Sequence, residues 1–103
     1  MSVKDICYVS GTRADYGLMC STLHQIQNNP TCRLSIAVTG MHLLGQYGMT
    51  VDEIENHGFK INSRVPVHLS GASGDEMAFA LADQIRGFTQ AWIQNKPDVV
   101  LLL

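Results

Sequence analysis

Three cysteines, no apolar run of membrane-spanning length and no cluster of like charge mark this 103-residue chain, and each scarcity removes a class of function. Cys7, Cys20 and Cys32 are odd in number, widely spaced and without a histidine at metal-ligand spacing, so neither a disulfide framework nor a zinc site is expected. Reduced thiols in a cytoplasmic protein fit that pattern. Seven Lys and Arg face nine Asp and Glu for a formal charge of -2, and the scattered basic residues draw no nucleic-acid-binding stripe. The opening Met1-Ser2-Val3-Lys4-Asp5 lacks the apolar core and cleavage site of a signal peptide, and no membrane partner is expected. Only one glycine lies in the turn before Arg13, so neither the G-x-G-x-x-G dinucleotide fingerprint nor the Walker A pattern is present. NAD and ATP lose support.

What the sequence does contain is a repeated strand-helix pattern, with a hydrophobic content of 46% that suits one packed domain. Residues 6–10 and 34–39 are apolar enough for interior strands of a parallel sheet. Between them Leu18 or Met19, Leu23 and Ile26 recur at helical spacing, and Asn28-Asn29-Pro30 supplies a stop. Thr50-Val51-Asp52-Glu53 has the form of a capping box; it opens a short helix with Val51 and Ile54 on its apolar face and Gly58 at its C′ position. Residues 60–66 alternate in part and end at a proline, the pattern of a strand nearer the sheet's edge.

Ser73 and Glu76 form a second capping pattern, and Met77, Leu81, Ile85, Phe88 and Trp92 then predict a helix over residues 74–95 of about 33 Å, the stripe reading as core packing. Gly87, inside that helix, should cost about 1 kcal/mol relative to alanine. Lys96-Pro97 ends the helix, and residues 98–103 begin a buried strand. Right-handed crossovers then give an α/β fold with a parallel sheet ordered 3-2-1-4, the first half of a doubly wound domain, whose ligand edge lies at the switch point between strands one and four. A strand that stops on the last residue suggests an incomplete domain.

At that edge Arg13 follows a strand and precedes a helix, where a planar guanidinium and helix-start amides can receive a diphosphate; the alternative is an exposed arginine paired with Asp15 or solvated. Asp15 reads as the N-cap of the first helix, with a ligand contact or an acid role as the alternatives. His42, just after the second strand, is within reach of a sugar or phosphate bound near Arg13, although an isolated histidine is more often structural. His24, His57 and His68 hold weaker positions, and Asp75 and Glu76 suit a helix's first turn better than acid-base work.

Four stretches carry a resemblance. They are Gly11-Thr12-Arg13-Ala14-Asp15-Tyr16-Gly17-Leu18, Val38-Thr39-Gly40-Met41-His42-Leu43, Tyr47-Gly48-Met49-Thr50 with Glu53-Ile54 behind it, and Lys96-Pro97-Asp98-Val99-Val100-Leu101-Leu102. In order along the whole chain, they resemble the hydrolysing UDP-N-acetylglucosamine 2-epimerases of sialic acid biosynthesis. The resemblance implies two Rossmann-like domains in the GT-B arrangement, with residues 1–103 as an incomplete part of the N-terminal one and inactive alone.

It also implies elimination of UDP across C1 and C2 of the sugar to 2-acetamidoglucal, then hydration to N-acetylmannosamine, with no cofactor and no metal. By the same resemblance Gly11, Thr12, Arg13 and Asp15 form a substrate-binding wall with Arg13 on the UDP portion, and His42 lines the sugar side. The catalytic carboxylates are expected beyond Leu103, and the full-length protein is expected to form homo-oligomers. A serine replaces Gly17 in some relatives. A UDP-2,4-diacetamido-2,4,6-trideoxyglucose 2-epimerase, a GT-B glycosyltransferase and a flavodoxin-like binding module are the competing readings.

Overall fold

The computed structural model describes residues 3–40, 51–66 and 73–103. In chain order the elements are β1 (Lys4–Ser10), α1 (Arg13–Gln27), β2 (Cys32–Thr39), α2 (Val51–Asn56), β3 (Ile61–Val65), α3 (Gly74–Gln94) and β4 (Val99–Leu101). All strand pairs are parallel and the order is β3-β2-β1-β4, the doubly wound half expected from the apolar pattern. β1 and β2 start earlier than their apolar cores, because Lys4 pairs with Cys32 and Asp5 with Arg33 ahead of them. β4 is shorter than residues 98–103, pairing only Val99 to Leu101 against Ile6 to Tyr8.

Alternation along the strands sorts the two faces. Tyr8, Ile36 and Val38 point to the side covered by α1 and α2, where they form one buried cluster with Tyr16, Leu23, Val51, Ile54 and Phe59. α2 ends in a Schellman motif: Gly58 takes φ +89, its amide donates to Glu55, and the Phe59 amide donates to Ile54. That places Gly58 at the C′ position read from the sequence. Thr50, the expected N-cap of α2, lies outside the described residues.

α3 crosses the opposite face and corrects one expectation. The stripe Met77, Leu81, Ile85, Phe88 and Trp92 is not buried core: Met77 is 62% exposed, Leu81 57% and Ile85 62%. Small residues make the contact instead. Ala80 is the buried residue of α3, and at Gly87 a Cβ would stand 2.4 Å from Val65 Cγ1. Ala80 and Gly87 lie about a third of a turn round the helix from the centre of the stripe. The helix is thus seated close over β3, with its apolar face turned sideways toward Val9 and Leu102. Among the described residues no helix is long and apolar enough to cross a membrane.

Candidate functional site

The C-terminal edge of the sheet is built around the carboxylate of Asp15. Asp15 is not the N-cap of α1. Thr12 is, with extended backbone, and Asp15 stands three residues on as the reciprocal member of a capping box. The Asp15 Oδ1 accepts from the Tyr8 hydroxyl at 2.8 Å and from the Ser10 hydroxyl, while Oδ2 accepts from the Gly11 amide at 3.0 Å, the Thr12 amide at 2.8 Å and the Thr12 hydroxyl at 3.1 Å. Burial pushes the carboxyl's pKa up, but the hydrogen bonds from Ser10, Tyr8, Thr12 and Gly11 outweigh it and hold the group below its ordinary value. Burial, with Asp15 added, drives the Tyr8 phenol upward. Tyr8 and Asp15 therefore stay as phenol and carboxylate across the physiological range.

This network fixes the turn that carries Gly11, Thr12 and Arg13. Gly40 closes on it from the end of β2 with φ +64, and a Cβ there would meet the Gly11 carbonyl oxygen at 3.0 Å. Thr39 secures the same corner by donating its hydroxyl to the Val65 carbonyl at 2.6 Å. The Gly11 and Thr12 amides are consumed by Asp15, and the Asp15 amide donates to the Thr12 hydroxyl. The Arg13 and Ala14 amides, first in α1, find no acceptor among the described residues.

Arg13 is paired with neither Asp15 nor solvent alone. Its Nε donates to Glu53 Oε2 at 2.8 Å and its Nη2 to Glu53 Oε1 at 3.3 Å, tying the start of α1 to α2. The hydrogen bond and charge of Glu53 raise the guanidinium's pKa, leaving a fixed cation at the edge. Further along the same groove between α1 and α2, the Tyr16 hydroxyl meets His57 Nδ1, and the Cys20 thiol lies 3.5 Å from that hydroxyl. Burial first, then Cys20 and Glu53, push the Tyr16 phenol upward. His24 packs its ring on Phe59 at 4.5 Å, a core contact.

The expected site residues thus divide. Gly11 and Asp15 border a cleft of about 480 Å³ between the β1 end, Leu102 and α3, whereas Arg13 lines a groove of about 560 Å³ with Tyr16, Glu53 and His57. Thr12 caps the helix between them. His42 and His68 lie outside the described residues. Sequence reasoning missed Glu53 as Arg13's partner, since a contact across 40 positions leaves no local signal and Glu53 reads only as a capping residue. Both carboxylates at this edge are engaged, Asp15 by five donors and Glu53 by Arg13. The arrangement can bind and orient an anion; it does not offer a free acid-base pair among the described residues.

Comparison with known proteins agrees with this fold. The family model for UDP-N-acetylglucosamine 2-epimerase matches residues 24–103. The chain is 46% identical over 101 residues to the UDP-N,N'-diacetylbacillosamine 2-epimerase (hydrolyzing) of Legionella pneumophila, covering 98% of this chain and 27% of that protein. It is 36% identical over 103 residues to the GDP/UDP-N,N'-diacetylbacillosamine 2-epimerase (hydrolyzing) of Campylobacter jejuni, covering 100% of this chain and again 27% of the relative. The chain therefore spans about a quarter of the length of the curated relatives it matches. Among solved structures, the UDP-GlcNAc 2-epimerase of Neisseria meningitidis bound to UDP-GlcNAc superposes with a TM-score of 0.73 at 20% identity, over 95% of this chain and 25% of that one. That likeness carries the fold. With the match over residues 24–103 and relatives at 46% and 36% identity along nearly the whole chain, the chain belongs to the UDP-N-acetylglucosamine 2-epimerase family.

Proposed function

We propose that this chain is the nucleotide-facing part of the N-terminal domain of a GT-B enzyme, a hydrolysing UDP-sugar 2-epimerase. The observation that carries the reading is the Gly11–Asp15 turn. A half-buried, five-donor carboxylate holds an arginine and two helix-start amides that have no acceptor among the described residues at the C-terminal edge of a parallel sheet, the place where open α/β folds take anionic ligands. In this role Arg13 contacts the diphosphate, Gly11 and Thr12 let the backbone approach, and Asp15 acts by rigidifying the turn. His42 faces the sugar by the family resemblance. The base that removes the C2 proton and the groups that handle leaving UDP and water come from outside these 103 residues.

On substrate, the two relatives at 46% and 36% identity are both named for N,N'-diacetylbacillosamine, and the UDP-N-acetylglucosamine 2-epimerase of Neisseria meningitidis stands at 29%. This favours UDP-2,4-diacetamido-2,4,6-trideoxyglucose over UDP-N-acetylglucosamine as the sugar epimerised. Steady-state rates of UDP release by the full-length protein on the two nucleotide sugars test the choice. A kcat/KM at least tenfold higher for the diacetamido sugar is expected; a preference for UDP-N-acetylglucosamine reverses the substrate assignment, and UDP release only with an added acceptor sugar points to a glycosyltransferase.

A further inference from the structure

We propose that Glu53 is a positioning residue for nucleotide binding, holding the Arg13 guanidinium in the orientation that receives the diphosphate. The proposal rests on the reading of Arg13 as the diphosphate contact. Arg13 is the first residue of α1 and its side chain is 70% exposed, so on its own it would spread over many rotamers. Glu53 is only 34% exposed and stands on a fixed platform, with Val51 and Ile54 of the same short helix buried in the core and the Schellman turn closing its end.

The contact is side-on. Glu53 takes Nε and one hydrogen of Nη2, so Nη1 and the second hydrogen of Nη2 stay without an acceptor among the described residues. Those remaining donors form a second two-pronged edge, the geometry that matches a phosphate.

Two effects oppose each other. A carboxylate beside the guanidinium brings negative charge toward the incoming diphosphate, which weakens binding. Ordering the arginine in advance removes the cost of immobilising a rotamer-rich side chain, which strengthens it. The pair is exposed, so water and salt screen the repulsion and the ion pair's attraction alike; the short-range two-point hydrogen bond from Nε and Nη2 to a carboxylate anchored on α2 still orders the arginine, so ordering prevails by a small margin.

The test measures UDP affinity by calorimetry, with kcat and KM, on the full-length protein carrying Arg13→Ala, Glu53→Gln, Glu53→Asp or the pair Arg13→Ala and Glu53→Gln. Glu53→Gln should weaken UDP binding about three- to tenfold and raise KM with kcat nearly unchanged. Glu53→Asp should recover part of the loss. In the Arg13→Ala background Glu53→Gln should change nothing further, because the partner it acts through is gone. Unchanged or tighter UDP binding in Glu53→Gln, with Arg13→Ala still weakened, overturns the positioning role alone. An equal loss in both backgrounds shows that Glu53 acts on the fold or on the ligand directly. Full affinity in Arg13→Ala overturns the reading of Arg13 and this proposal with it.

Discussion

Replacing Asp15 by alanine removes the acceptor of five hydrogen bonds, and the penalty can be assembled from what each donor loses. The Tyr8 hydroxyl belongs to a residue with 0% exposure and donates to Asp15, with the Ser10 hydroxyl beside it as its remaining partner; losing the carboxylate there costs about 1–2 kcal/mol. Loss of the reciprocal half of the capping box, the bond from the Thr12 amide, adds up to about 1 kcal/mol, while Thr12 still caps the helix. Ser10 can turn to the Thr12 carbonyl at 3.4 Å, and the half-buried Gly11 amide can take water, so these add less. The total is about 2–4 kcal/mol, a large share of a typical domain's stability.

The sharper test uses Tyr8→Phe. Alone it should destabilise by about 1 kcal/mol, because it removes the buried donor that Asp15 accepts. In the Asp15→Ala background it should cost less than half as much, since the hydroxyl has already lost its charged acceptor and keeps only Ser10 beside it. Urea unfolding midpoints of the four proteins read the cycle. An equal loss from Tyr8→Phe in both backgrounds would refute the network as the turn's support.

Two glycine substitutions should move stability in opposite directions. Gly17→Ala, where a Cβ meets nothing within 4 Å, should raise the unfolding free energy by about 0.5–1 kcal/mol, whereas Gly87→Ala should lower it by about 1–2 kcal/mol because overpacking on Val65 outweighs the helix gain. Equal signs in chemical denaturation would show that α3 does not ride on Val65 as described. Gly40→Ala combines a φ of +64 with a 3.0 Å approach to Gly11, and should cost about 1–3 kcal/mol in the same assay while weakening UDP binding.

The Asp15 pKa is depressed by folding, so its contribution is present above the ordinary carboxylate range and is lost as pH falls through the lower folded value. Stability against pH below about 4 should therefore be flatter in Asp15→Asn than in wild type. Tyr8 shifts the other way, contributing fully below pH 10.0 and less above it, so Tyr8→Phe should flatten the alkaline arm. A parallel shift with no change of slope would contradict either assignment.

The sheet order was legible because the first two strands are continuous apolar runs and each connection is long enough for a crossover helix. Gly58 was legible for a local reason, since a helix end that needs positive φ selects glycine within a few residues. The α3 stripe misled because helical periodicity names an apolar face without saying what lies opposite it. Small residues, Ala80 and Gly87, made the sheet contact instead. Asp15 was assigned to the right turn but the wrong cap position, as Thr12 and Asp15 both suit a helix start and only the backbone angles of Thr12 decide between them. Glu53 escaped because its partner is distant in sequence, whereas its own neighbourhood already explains an acid in a helix's first turn.

The central claim is that the Gly11–Asp15 turn serves a nucleotide-sugar epimerase. The most direct test incubates the full-length protein with UDP-2,4-diacetamido-2,4,6-trideoxyglucose in deuterium oxide and follows the products by NMR. Release of UDP together with free sugar of inverted C2 configuration, carrying deuterium at C2, is the result predicted. Free sugar of unchanged configuration with hydrogen at C2 would show plain hydrolysis and contradict the account.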